Sequence, residues 1–119
     1  MTQTSSQQTP KGGFKNDIGK LRYDLVPWDA MDEVVAVLNF GATKYASRNW
    51  EAGMDWGRVS GAVHRHMSKW EMAPLHGESG IDPETGKSHL AGALCSGLFL
   101  LSYELRGIGN DTRARIITN

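Results

Sequence analysis

The chain has 119 residues, enough for one domain with a thin core and little room for a second. Lys plus Arg number 13 and Asp plus Glu 13, so no net field draws it to a nucleic acid polymer or an anionic membrane. A single cysteine, Cys95, cannot form an internal disulfide, and residues 1–10 lack a signal-peptide pattern, so the expected compartment is the cytoplasm.

Residues 1–13 (MTQTSSQQTPKGG) have the composition of a disordered tail. Residues 14–27 mix charges with single apolar residues and read as an ordered, extended arm, with Leu21, Leu25 and Trp28 as its available anchors. A first helix is expected from 27 or 28 to 46, because Met31, Val34, Val35, Leu38, Ala42 and Tyr45 recur at helical spacing. Pro27 suits its first turn, where a missing N–H costs nothing. Gly41 inside this pattern costs roughly 1 kcal/mol against Ala, which close approach of another backbone or a ligand would explain. Residues 47–56 read as a loop anchored by Trp50 and Trp56.

A second helix is expected over 56–72, with Val59, Ala62, Val63, His66 and Trp70 on one face. Residues 73–88 hold two Pro and three Gly and form a loop. Ser88 is a fitting N-cap for a third helix over 89–106. That helix is apolar nearly all round, so a second subunit is expected to cover part of it. Its apolar stretch, 90–101, is too short to cross a bilayer, and Cys95 within it reads as a small buried hydrophobe. Residues 107–119 are polar and basic and read as either a short strand or an arm through Ile116 and Ile117.

Chemistry concentrates in the loop before the third helix, where Glu78, Asp82 and Glu84 lie between His76 and His89. Carboxylates of this kind suit Mg²⁺ or Mn²⁺; the alternative is a solvated acidic loop. On the first helix, Glu33 shares a partly apolar face with Val37, Phe40 and Lys44, so it is expected to be partly buried and to need a cation. A metal ion near Glu33 and phosphate near Lys44 would account for both; an exposed Glu favoured by the helix dipole is the alternative. His66, alone on its apolar stripe, reads as a hydrogen-bonded core residue rather than a ligand. Arg65 and Lys69 are either phosphate clamps or solvated charges. Gly19-Lys20 lacks the upstream glycine and following Ser or Thr of a P-loop, so Lys20 and Arg22 can serve only as cations on an arm.

Several strings occur in a distinctive order. They are Asp17-x-Gly19-Lys20-x-Arg22-x-Asp24-Leu25-x-Pro27, then Glu33-Val34, Gly41-Ala42-x-Lys44-Tyr45 and Asn49-Trp50. Arg65-His66, Gly77-Glu78-x3-Asp82-x-Glu84-Thr85-Gly86-x2-His89-Leu90-Ala91 and Phe99-Leu100 follow. Over residues 14–105 the chain resembles the phage and bacterial dATP/dGTP diphosphohydrolase domain, a MazG-like family. The resemblance implies an all-α fold of three main helices, placed here at 14–106, assembled into homodimers or homotetramers. It implies a pyrophosphohydrolase that uses Mg²⁺ or Mn²⁺ and cuts purine deoxynucleoside triphosphates between the α and β phosphates, in the host cytoplasm if phage-encoded.

Two departures accompany it. Wider MazG-like enzymes carry E-x-x-E and E-x-x-D pairs, where this chain has Glu33-x-x-Ala36 and His89-x-x-Gly92; in the dATP/dGTP branch the latter position is often a second His. On residue chemistry the metal ligands are therefore set at Glu33, Glu78, Asp82 and His89, with Glu84 in reserve and His89 alternatively orienting water. Lys20, Arg22, Lys44 and Arg65 are expected on the triphosphate, and Tyr45, Asn49 or Trp50 on the base. A nucleotide-binding protein without turnover, a sponge, is the alternative function.

Overall fold

A computed structural model describes residues 6–8 and 13–117 of the chain. Three α-helices dominate it: α1 (Trp28–Tyr45), α2 (Trp56–Met72) and α3 (His89–Arg106). The expected limits of α2 and α3 hold to the residue, and α1 ends one residue early. Short 3-10 turns at Asn49–Ala52 and Ala73–His76 sit in the two connections.

α3 packs on both other helices, most extensively on α2. Its buried side is built of small residues, Ala91, Gly92, Ala93 and Cys95, which let α2 approach closely. Val34 of α1, Val59 of α2 and Ala73 just after α2 join that core. Tyr103, fully buried on α3, donates its hydroxyl to the Trp50 carbonyl at 2.7 Å. The Trp50 ring stacks on Phe99 with centroids 4.7 Å apart. The connection after α1 is thus pinned to α3 by an aromatic pair and one satisfied buried hydroxyl.

The ends of α3 follow from its sequence. Ser88 Oγ accepts the Leu90 N–H at 3.1 Å, as expected of an N-cap. Gly107 closes the helix at φ 65°, a left-handed conformation that favours glycine. Cys95 is buried, as expected.

Several expectations need correction. Ser6–Gln8, inside the segment read as a disordered tail, pairs antiparallel with Phe14–Asn16; residues 1–5 and 9–12 lie outside those described. The arm that follows is not extended throughout, because Gly19 turns it and Tyr23–Leu25 form a 3-10 turn. Its intended anchors are not packed: Leu21, Leu25 and Trp28 are 79%, 69% and 55% exposed. Each stands among charged neighbours without a helical or strand period that would gather them onto one face. Gly41 meets no backbone; a side chain there would have nothing within 4 Å, and the residue instead lines a cavity. Ile116 and Ile117 form no strand and are exposed.

Two apolar faces are open. On α1, Val35 and Tyr45 of the expected stripe are exposed. On α3, Leu94, Leu98, Leu101 and Leu105 form an exposed row at four- and three-residue spacing. No helix among the described residues is long and apolar enough to cross a membrane.

Candidate functional site

The loop between α2 and α3 is closed on itself by its backbone. Ile81 and Ser88 form an antiparallel bridge, Asp82 N–H donates to Lys87 O at 2.8 Å, and Gly86 N–H returns to Asp82 O at 2.8 Å. His89 N–H donates to Gly80 O at 2.8 Å, which sets the first residue of α3 beside the loop's base. Asp82 Oδ1 accepts the Glu84 N–H at 2.9 Å, a local turn of the kind aspartates make. Among the described residues the other oxygen, Oδ2, accepts no hydrogen bond.

This closure brings together three donors from three elements. His66 of α2, Asp82 of the loop and His89 of α3 each offer a ligand atom within 4.8 Å of the other two. The two imidazoles face each other, Nδ1 to Nδ1, at 2.9 Å. His89 is buried and the others half-buried. Burial lowers the His66 pKa below the ordinary imidazole value, and the neighbouring His89 lowers it further while Asp82 opposes the shift. A neutral imidazole is the form that ligates.

Gly92 shapes the centre. A Cβ at that position would stand 3.0 Å from both Nδ1 and Cε1 of His66, so the missing side chain provides the space the ring occupies. A larger residue there would crowd the His66 ring.

His66 and Asp82 also line a cavity of about 1030 Å³ between α1, α2 and α3. Four cationic side chains, Lys44, Arg48, Arg58 and Arg65, share that wall with Tyr45, Asn49 and Trp50. Lys44 is held at 2.8 Å from Glu84, and this carboxylate, followed by Tyr45, raises its pKa above the ordinary lysine value. Lys44 also lies 5.1 Å from the Tyr45 ring centroid. Cys95 reaches the cavity too, but burial pushes its thiol up to about 11, so it is no nucleophile at neutral pH.

The residues expected from sequence divide accordingly. Asp82 and His89 meet at the metal-competent centre. Lys44, Tyr45, Asn49, Trp50, Arg65 and Glu84 line the cavity. Glu33 does not join the centre: it is exposed rather than partly buried, and its carboxylate takes Lys87 at 3.2 Å as its cation. Glu78 is exposed on the loop. Lys20 and Arg22 are not among the lining residues, and Arg22 is tied to Asp24 by two bonds of 2.8 and 2.7 Å. His66, read as a hydrogen-bonded core residue, is half-buried and bonded to His89 across the helix interface, a partner that sequence did not identify. A glycine in the opening turns of α3, where alanine would be roughly 1 kcal/mol better, was the available signal that another side chain comes close. Arg58 was legible too, since it precedes Arg65 by two helical turns on one face.

Comparison with known proteins identifies the family. A family model described as "dATP/dGTP diphosphohydrolase, N-terminal" matches residues 10–113. A protein named "dATP/dGTP diphosphohydrolase" from Salmonella phage PMBT28 is 37% identical over 103 residues, covering 85% of this chain. The chain spans about a third of that relative's length, 33%. No solved structure matches it. The chain belongs to the dATP/dGTP diphosphohydrolase N-terminal family.

Proposed function

We propose that this chain is a metal-dependent pyrophosphohydrolase domain acting on purine deoxynucleoside triphosphates in the cytoplasm. The observation that carries the reading is one wall: a His66–Asp82–His89 centre opening onto a cavity lined by four cationic side chains. The donor set fits a divalent ion, having two imidazoles and a carboxylate oxygen that accepts no hydrogen bond among the described residues. The family resemblance implies Mg²⁺ or Mn²⁺. A cation held there supplies charge neutralisation at the phosphates and acidifies water.

The chain's own groups cover the remaining needs. Lys44 and Arg65, with Arg48 and Arg58, meet the β and γ phosphates, whose charge grows as pyrophosphate departs. Water oxygen attacks the α phosphorus, and the bond from that phosphorus to the α–β bridging oxygen breaks. The electron pair leaves with pyrophosphate, and the water proton passes to a cavity carboxylate, Asp82 or Glu84. Tyr45 and Asn49 flank the base, while Trp50, already stacked on Phe99, contributes a fixed edge. Asn49 supplies both amide donor and acceptor for a purine edge.

Turnover of common deoxynucleoside and ribonucleoside triphosphates, with divalent cation and with EDTA, tests the reading. Pyrophosphate release from dATP and dGTP, lost in EDTA, is expected. Tight nucleotide binding with no pyrophosphate released would favour a sponge. The exposed leucine row on α3 supports an isologous homodimer or a homotetramer, since isolated monomers seldom leave such a continuous face open. Light scattering at micromolar concentration should give at least twice 13.1 kDa.

A further inference from the structure

We propose that Phe99, Tyr103 and Arg106 of α3 are positioning residues for base recognition, holding residues 46–50 so that the Asn49 amide meets the purine edge. The inference rests on the reading above only in taking the cavity as a nucleotide site. Residues 46–50 form one stretch of the cavity wall, and two of them stand in backbone conformations that most residues avoid. Ala46 has φ 127° and ψ 157°, a region populated almost only by glycine. Arg48 has φ 59° and ψ 21°, which is left-handed and uncommon for a residue with a Cβ. Neither position carries a glycine, so the conformation is imposed by contacts and not by local preference. Such strain persists only where the surroundings over-determine the backbone.

The third helix supplies those surroundings. Positions 99, 103 and 106 recur at four- and three-residue spacing, which sets them on one face of α3. Phe99 stacks on Trp50 with the ring planes 17° from parallel. Tyr103 donates its hydroxyl to Trp50 O at 2.7 Å, and its tilted ring lies 6.1 Å from the Trp50 ring. The Arg106 guanidinium lies 5.1 Å from the Trp50 ring centroid and donates to Glu51 Oε1 at 3.1 Å. That same oxygen accepts from Arg48 Nη1 at 3.0 Å, so the grip reaches both sides of Asn49.

Asn49 is the residue held between. Its N–H donates to Ala46 O at 3.3 Å, while the residue is exposed and lines the cavity. A side-chain amide carries donor and acceptor together, and it reads a base edge only when its backbone is fixed. Tyr103 and Arg106 do not line the cavity, so they act on a nucleotide only through this stretch of wall. The Trp50 carbonyl also accepts the Gly53 N–H at 3.1 Å, so Tyr103→Phe leaves it with a partner and should fold.

The test is a double-mutant cycle on the full chain. Calorimetry with the α,β-methylene analogue of dATP, which cannot be cut at the α–β bridge, gives binding. Turnover of dATP with Mn²⁺ gives kcat and KM. Tyr103→Phe should weaken the analogue about fivefold and raise KM alike, with kcat within about twofold, since the base lies away from the reacting phosphorus. Asn49→Ala should weaken the analogue about tenfold. In the Asn49→Ala background, Tyr103→Phe should change binding by less than about 1.5-fold, because its route to the base is gone. Arg106→Gln, at an exposed position, repeats the cycle if Tyr103→Phe fails to fold. An anchor serving stability alone would lower Tm without this non-additivity. Independent, multiplying effects of the two substitutions would overturn the inference, as would an Asn49→Ala protein binding within about twofold of the parent. Coupled binding with no pyrophosphate from any nucleotide would leave the inference standing and remove the hydrolase reading alone. No binding of the analogue at all would remove both.

Discussion

The segments at the two ends of the helical core, 17–27 and 107–117, look alike in sequence: short, charged, with isolated apolar residues. Structurally they differ. The C-terminal one is bound to the first turn of α2 and the residues just before it by long-range hydrogen bonds and a cation–π contact. Trp56 Nε1 donates to Ile108 O at 2.9 Å, Trp56 N–H to Asn110 O at 2.9 Å, and Gly57 N–H to Thr112 Oγ1 at 2.8 Å. Asn110 N–H returns to Met54 O at 3.3 Å, and the Arg113 guanidinium lies 5.3 Å from the Trp56 ring centroid. The N-terminal one has hydrogen bonds among near neighbours, such as Lys20 N–H to Asp17 O and Arg22 to Asp24, and exposed leucines.

The difference lies in what the core offers each segment. The first N–H groups of any helix lack an intrahelical partner, and Asp55, the N-cap of α2, makes no side-chain cap. The C-terminal segment supplies the missing acceptors in a carbonyl and a hydroxyl, so it orders itself by capping α2. Residues 17–27 lead into α1 itself. Apolar side chains without orphaned backbone groups to meet do not fix a segment.

Trp56→Ala should therefore cost the most, about 3 kcal/mol, since it removes a large half-buried ring, its bond to Ile108 and the Arg113 contact together. Urea denaturation would measure it, and a loss below about 0.5 kcal/mol would show the segment is not docked in solution. Thr112→Ala removes one capping acceptor and should cost about 1 kcal/mol, with Thr112→Ser recovering most of it.

Asp111 gives a smaller effect with a pH signature. Side-chain bonds from Arg113 come first, then that residue's backbone N–H, and these with Arg115 hold its carboxyl well below the ordinary carboxylate range. A depressed folded-state pKa contributes stability that is complete above the unfolded value, near about 4, and is lost as pH falls through the folded one. Melting temperature should thus decline below about pH 4, and Asp111→Asn should flatten that limb while lowering stability slightly at neutral pH. An unchanged acid limb would mean the ion pairs do not persist in solution.

The contrast also marks what sequence could yield. Helix limits were legible because Ser88, Gly107 and the apolar periods act locally. Asp82 and His89 could be singled out together because they lie on one short stretch of chain. His66 could not, since its partner lies 23 residues on and meets it only when α2 packs against α3. The ion pairs of Glu33 with Lys87 and Lys44 with Glu84 span 54 and 40 residues, and no spacing rule reaches that far. Capping of α2 from beyond α3 was equally out of reach, as it depends on where the chain returns.

The last prediction concerns an effect expected to be nil. Lys20 and Arg22 invite the role of clamps closing on the triphosphate, and that role requires them to leave where they stand. Arg22 is committed to Asp24 through two charge-assisted bonds, which raise its pKa above the ordinary arginine value. A phosphate would have to displace a carboxylate already in fork geometry, gaining little over the bond it breaks. Lys20 is exposed on the turn beside Gly19, and neither residue lines the cavity. Lys44, Arg48, Arg58 and Arg65 already give the cavity wall four positive charges, enough to face a triphosphate. Lys20→Ala with Arg22→Ala should then leave kcat/KM within about twofold, where Arg65→Ala should lower it at least about tenfold. A kcat fall in the double variant without change in KM would mean that the segment swings over the site in the transition state. It would then be fixed by substrate, in the way the C-terminal segment is fixed by α2.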